Sequence, residues 1–156
     1  MNNPWLSLLT GLISGAITAV VTYFATLSKA RLDLTIQYDK DLRQNRLAAY
    51  QKLWPMLKPL APYSPEKPIT HHIVKDTSEK MRDWYFDGSG IFLSSESRGP
   101  YFDLKRHMQK IIDDPNLKKE PDRKLDEEWL KPLHKHGTAL RAALSNDVGT
   151  RRRPFV

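Results

Sequence analysis

The sequence predicts an all-α protein: one N-terminal transmembrane helix that continues into a stalk helix and a cytoplasmic helical bundle. Three observations carry that prediction. The stretch Trp5–Leu27 holds no Asp, Glu, Lys, Arg or His. Beyond it, apolar residues recur at helical spacing in segments bounded by capping residues, Gly or Pro. No segment alternates apolar and polar residues as a half-buried strand does, and there is no internal repeat.

Residues 1–4 form a short extracytoplasmic head, and residues 5–27 form the transmembrane helix. At about 1.5 Å per residue the span reaches roughly 34 Å, enough for a bilayer core of about 30 Å. A helix is the form that satisfies its own backbone in lipid. Trp5 at one end and Tyr23 and Phe24 near the other suit the two interfaces. A cleavable leader needs a positive head and a shorter apolar core, and Met1-Asn2-Asn3-Pro4 has no basic side chain. Lys29 and Arg31 are the first charges after the span, so the C-terminal part is expected in the cytoplasm and the N-terminus outside.

The span has two faces. Ser7, Gly11, Ser14, Gly15, Thr18 and Thr22 fall within an arc of about 100°, opposite a side rich in Leu, Ile, Val and Phe. Gly11-x-x-x-Gly15 fits close helix packing. The same residues fit the lining of a narrow pore built from several copies, because polar groups in a membrane face a partner or water. Both readings require a homo-oligomer, a tetramer being one option, within a lipid bilayer.

Residues 28–57 read as the stalk helix. It has no Gly or Pro before Pro55. Its near half is charged, and its far half carries Leu42, Leu47, Tyr50, Leu53, Trp54 and Leu57 for packing. Pro55, Pro59, Pro62, Pro65 and Pro68 predict a break and a rigid, extended connector over 58–69. Residues 70–149 are the helical bundle. Its first helix spans about 70–87, with Thr70 as N-cap and Ile73, Thr77, Met81, Trp84 and Tyr85 on one face. Gly88-Ser89-Gly90 stops it, and Ile91-Phe92-Leu93 is expected as a buried plug. A helix over about 95–113 follows, with a core face of Tyr101 or Phe102, then Leu104, Met108, Ile111 and Ile112. Residues 114–124, with Pro115 and Pro121, read as an exposed loop. The last helix, about 126–146, starts at Asp126, Glu127 and Glu128, where the helix dipole favours acids. Its stripe is Trp129 or Leu130, Leu133, Leu140, Ala143 or Leu144, and Val148. Residues 150–156 are a basic tail.

All 25 Lys and Arg and all 18 Asp and Glu follow the span, so the net charge of +7 belongs to the part after it. That balance suggests an anionic partner: nucleic acid, a nucleotide or acidic lipid head groups. The absence of cysteine excludes disulfides, thiolate catalysis and cysteine zinc sites. There is no HExxH, P-loop or nucleophile elbow. His134 and His136 are two apart and point to different faces of a helix, so a metal site from His71, His72, His134 and His136 is a weak reading. No enzyme activity and no cofactor are expected. The stretch Gly88–Arg98 places glycines and serines before a helix start, where free backbone N–H groups can receive an anion. Arg98, Lys105 and Arg106 stand on the helix that follows, with Tyr101 and Phe102 among them. Cations interleaved with aromatics suit single-stranded nucleic acid. Arg43 and Arg46 on the stalk and Arg151, Arg152 and Arg153 on the tail would extend that site. The plain alternative is a tight turn with a hydrophobic plug and a cap.

The order of parts also carries a resemblance. An uncharged head and one span are followed by Leu42-Arg43-Gln44-Asn45-Arg46-Leu47-Ala48-Ala49-Tyr50, by Gly90-Ile91-Phe92-Leu93-Ser94 before a basic helix, and by Leu140-Arg141-Ala142-Ala143-Leu144 running into Asp147-Val148-Gly149-Thr150-Arg151. This layout resembles the membrane channel subunits of Hailong-type bacterial anti-phage defence systems. The resemblance implies an oligomeric ion channel in the bacterial inner membrane, held closed by a bound DNA oligomer. Loss of the oligomer would open the pore and depolarise the infected cell. A membrane-anchored adaptor that does not conduct is the alternative.

Overall fold

The computed structural model describes residues 4–63 and 68–149, with side chains from Thr18 onward. The protein is all-α. Among the described residues five helices run in order: α1 (Pro4–Met56), α2 (His71–Phe86), α3 (Ser95–Asp113), α4 (Pro115–Lys119) and α5 (Glu127–Asp147). Short 3-10 turns occupy Lys58–Leu60 and Ser89–Phe92. Among the described residues the only extended pairing is an isolated antiparallel bridge between Thr70 and Lys124. The chain divides into two compact units, residues 1–42 and 43–156.

In the first unit, α1 exposes large apolar side chains along its described length. Val21 is 61% exposed, Phe24 62%, Leu34 68% and Tyr38 67%. Two hydroxyls turn back onto the helix: Thr26 Oγ1 donates to the Thr22 carbonyl at 2.8 Å and Thr35 Oγ1 to the Arg31 carbonyl at 3.0 Å. No helix among the described residues is long and apolar enough to cross a membrane. The expected span, 5–27, lies mostly on residues 5–17, whose side chains fall outside the described residues.

Among the described residues, the second unit is a bundle of the last turns of α1 with α2, α3 and α5, and the short α4 packs against it through Leu117. Ala49, Tyr50 and Leu53 bring the last turns of α1 into the core, joined by Leu57 just past its end. They meet Val74, Met81 and Trp84 of α2, Tyr101, Leu104, Met108 and Ile111 of α3, and Leu133, Leu140 and Leu144 of α5. Local chemistry sets the helix starts. Thr70 Oγ1 accepts from Ile73 N–H, Ser94 Oγ from Glu96 and Ser97 N–H, each at 3.1 Å, and Asp114 Oδ1 from Asn116 and Leu117 N–H. Gly88 ends α2 at φ +90°, a left-handed conformation that favours glycine.

Several expectations are corrected. The connector is not simply extended. Its first residues form a 3-10 turn, and Leu60 and Ala61 are buried. Pro55 is the penultimate residue of α1, where the one hydrogen bond it removes falls in the last turn, and the helix ends at Met56, next to the expected boundary at 57. Residues 114–124 are not an open loop: they hold α4, which buries Leu117. The loop is also tied to the start of α2, since Leu125 N–H donates to Ile69 O at 2.9 Å and His72 N–H to Pro121 O at 3.1 Å. Of the plug Ile91-Phe92-Leu93, only Leu93 is buried, while Ile91 is 75% exposed. On α3, Tyr101 takes the core position and Phe102 stays at the surface. Leu47 and Trp54 of α1 are exposed as well.

Two arginines link the first and last helices of the bundle in opposite senses. Buried Arg141 of α5 donates from Nη1 to the Leu57 carbonyl at 3.3 Å, past the end of α1. Arg43 of α1 donates from Nη2 to the Val148 carbonyl at 2.6 Å, past the end of α5. Each puts a cation where a helix dipole is negative. A Cβ on Gly149, whose φ is +74°, would come within 2.9 Å of that Arg43 Nη2.

Candidate anion-binding surfaces

The sequence offers two places for an anion: the turn before α3 and the basic residues on α3. At the turn, the structure supplies its own anion. Asp147, at the end of α5, accepts from Ser94 Oγ through Oδ1 at 2.8 Å and Oδ2 at 2.7 Å. Tyr50 Oη donates to Asp147 Oδ2 at 2.7 Å and lies 3.1 Å from the Phe92 carbonyl and 3.2 Å from Ser97 Oγ. Burial, with the Asp147 charge beside it, pushes the Tyr50 hydroxyl up to about 12. Arg46 Nε donates to the Phe92 carbonyl at 3.3 Å. The helix start expected to receive an outside anion is thus capped by Ser94, which in turn holds Asp147.

The other expected cations are distributed differently. Arg43 and Arg46 hold main-chain carbonyls, as described. Arg106 pairs with Asp103, and Arg98 is exposed without a side-chain partner among the described residues. Lys105 is half-buried and donates from Nζ to Ser78 O at 2.7 Å and Ser78 Oγ at 2.6 Å. Burial lowers its pKa, and Arg82 lowers it further. Arg151, Arg152 and Arg153 lie outside the described residues, as do the side chains of Ser7, Gly11, Ser14 and Gly15. Thr18 and Thr22 are exposed on α1.

Lys105 stands at a groove of 220 Å³ between α2 and α3. Lys75, Ser78, Glu79 and Arg82 of α2 form the opposite wall. The spacing of 75, 78, 79 and 82 puts these four on one side of α2, a signal that sequence reading passed over. One turn along, Tyr85 has its ring centroid 5.6 Å from Phe102 and 5.3 Å from Phe86. Phe86 is 77% exposed and Phe102 38%.

The charge distribution sharpens the picture. Residues 28–63 carry seven Lys and Arg against three Asp and Glu, and the tail carries three Arg and no acid. Residues 64–149 are balanced, fifteen against fifteen. The net charge of +7 thus comes from residues 28–63 and the tail, and within residues 64–149 the cations matter where they are grouped.

Three of the five histidines serve the frame. His71 Nε2 lies 3.2 Å from the Ile112 carbonyl, His107 Nε2 3.2 Å from that of Trp129, and His134 Nδ1 3.0 Å from that of Leu60. Among the described residues no group of three or more His, Asp or Glu is placed to hold a metal ion. No family model, curated protein or solved structure matches this chain.

Proposed function

We propose that the chain is a homo-oligomeric, single-span membrane effector of the anti-phage type it resembles, forming an ion channel gated by an anionic ligand. The ligand is a DNA oligomer or a nucleotide bound by the cytoplasmic bundle. Residues 5–27 cross the bacterial inner membrane, and Ser7, Gly11, Ser14, Gly15, Thr18 and Thr22 line the pore or pack the helices. One observation carries the reading: the described part of α1 before Leu42 leaves Val20, Phe24, Leu32, Leu34, Ile36 and Tyr38 exposed. Large apolar side chains in water are unfavourable, at about 25 cal/mol for each Å² of apolar surface. Lipid around the first part and neighbouring copies around the rest relieve that exposure. A ligand opens or closes such a pore only by binding one state more tightly than the other.

The non-conducting adaptor is the second reading. Gly11 and Gly15 favour it, because close packing of small residues leaves no lumen. Ion leakage from liposomes carrying the purified protein separates the two. The channel reading expects leakage that changes with ligand, and Gly11→Leu or Gly15→Leu abolishes it. Inserted protein that associates but never leaks refutes the channel and supports the adaptor.

A further inference from the structure

The α2–α3 groove combines features that no frame role absorbs. Three cations, Lys75, Arg82 and Lys105, face it, against the carboxylate of Glu79. Arg82 is partly offset by Asp83, whose Oδ1 lies 3.2 Å from Nη2, but that exposed contact is worth little. Lys105 has three N–H donors and spends two directions on Ser78. Among the described residues nothing takes the third. At 220 Å³ the groove is smaller than the roughly 300–1,000 Å³ of a pocket for a drug-sized ligand. It has room for a phosphate and part of a sugar. A further flat group attached to them has to lie outside. There, one helical turn before Lys105, Phe102 offers a ring backed by Tyr85.

We propose that this groove binds a nucleotide, with the phosphate on Lys75, Arg82 and Lys105 and the base stacked on Phe102. The proposal rests on the reading of the bundle as a receptor for an anionic ligand, and it gives that ligand a place and a size. It moves the site away from Arg43 and Arg46, which hold main-chain carbonyls, and from Arg106, which pairs with Asp103. The phosphate neutralises the cationic charge left over after Glu79 and Asp83, and it accepts from the unspent Lys105 N–H. The base gains stacking of the kind that aromatic platforms give any nucleobase.

The test uses the full chain in detergent micelles, with AMP and inorganic phosphate as probes. Saturable thermal stabilisation by AMP is read together with lysine acylation mapped by mass spectrometry. AMP should protect Lys75 and Lys105 from acylation and leave Lys80 and Lys110 as reactive as before. Arg82→Glu should weaken AMP binding at least tenfold. Phe102→Ala should reduce AMP affinity to that of inorganic phosphate. Both side chains are exposed, so these variants keep the core. Unchanged affinity in Arg82→Glu, equal protection of all four lysines, or inorganic phosphate binding as well as AMP would each overturn the proposal. The leakage assay stands apart. A ligand-gated leak that survives Arg82→Glu removes the groove and keeps the channel, whereas groove binding without any leak does the reverse.

Discussion

Adding one methyl group at Gly90 should measurably loosen the bundle. An ideal Cβ there would lie 2.5 Å from Tyr85 Cδ2, 2.7 Å from Cε2 and 2.8 Å from Cγ. Carbon atoms rest about 3.5–4.0 Å apart, so ring or turn must move by about 1 Å. The ring has little freedom. It stacks on Tyr101 at a centroid distance of 5.4 Å and meets Phe86 and Phe102 edge-on. The turn is held too, because Leu93 is buried and its N–H donates to the Gly90 carbonyl at 3.2 Å. Overpacking of this kind costs about 1–3 kcal/mol, which lowers Tm by about 5–15 °C for a unit of this size. Gly137→Ala is the control. Its Cβ would make contacts no closer than 3.7 Å inside α5, and replacing a mid-helix glycine by alanine stabilises by about 0.5–1 kcal/mol. Near-ultraviolet circular dichroism during thermal unfolding reads both. Gly90→Ala melting with the wild type would refute the reasoning. So would a penalty that persists undiminished in a Tyr85→Ala background, where the opposing ring is gone.

Asp147→Ala should destabilise the bundle by about 1–3 kcal/mol in urea, since the Ser94 and Tyr50 hydroxyls lose their carboxylate. Asp147→Asn should cost less because an amide oxygen still accepts. Trp84→Phe removes the 2.9 Å hydrogen bond from Nε1 to the Ala49 carbonyl, and a drop of about 1–3 kcal/mol is expected by the same measurement. Alkaline titration tests the buried phenols. Burial raises the pKa of Tyr50 to about 12 and that of Tyr101 further still. Both are neutral in folded and unfolded chains below pH 10, so stability is unaffected there. Above pH 10 the unfolded chain ionises first, and stability falls as pH climbs towards 12. Tyrosinate absorbance should show two late phenols in the folded protein and one fewer in Tyr50→Phe.

Much of the fold was legible because its punctuation is local. Thr70 and Ser94 start α2 and α3 by side-chain capping that the sequence displays, and Gly88 stops α2 because it alone reaches φ +90° without strain. The faces were harder. Tyr101 and Phe102 are adjacent aromatics 100° apart on the helix, and only the position of α2 decides which is buried. Leu117 looked like one apolar residue in a polar loop; Asp114 capping turned that loop into a helix. The site was less legible still. Arg43 and Arg46 are expected at an anion site, yet each serves a main-chain carbonyl at least 46 residues away in sequence. Asp147 gave no sign that it would meet Ser94. Such pairings depend on how the helices pack, which no short window of sequence contains.

The linkage of α1 to α5 also bears on how the protein is made. Arg43 reaches Val148 across 105 residues and Tyr50 reaches Asp147 across 97. Synthesis at about 5–20 residues/s separates the birth of those partners by roughly 5–20 s. During that interval Leu53 and Leu57 have left the ribosome, but the helix that covers them does not yet exist. An early association of α1, α2 and α3 would still leave the Arg43 and Arg141 links to α5 unmade. Until α5 is made, the apolar face that it covers stays exposed on the nascent chain and open to misassociation.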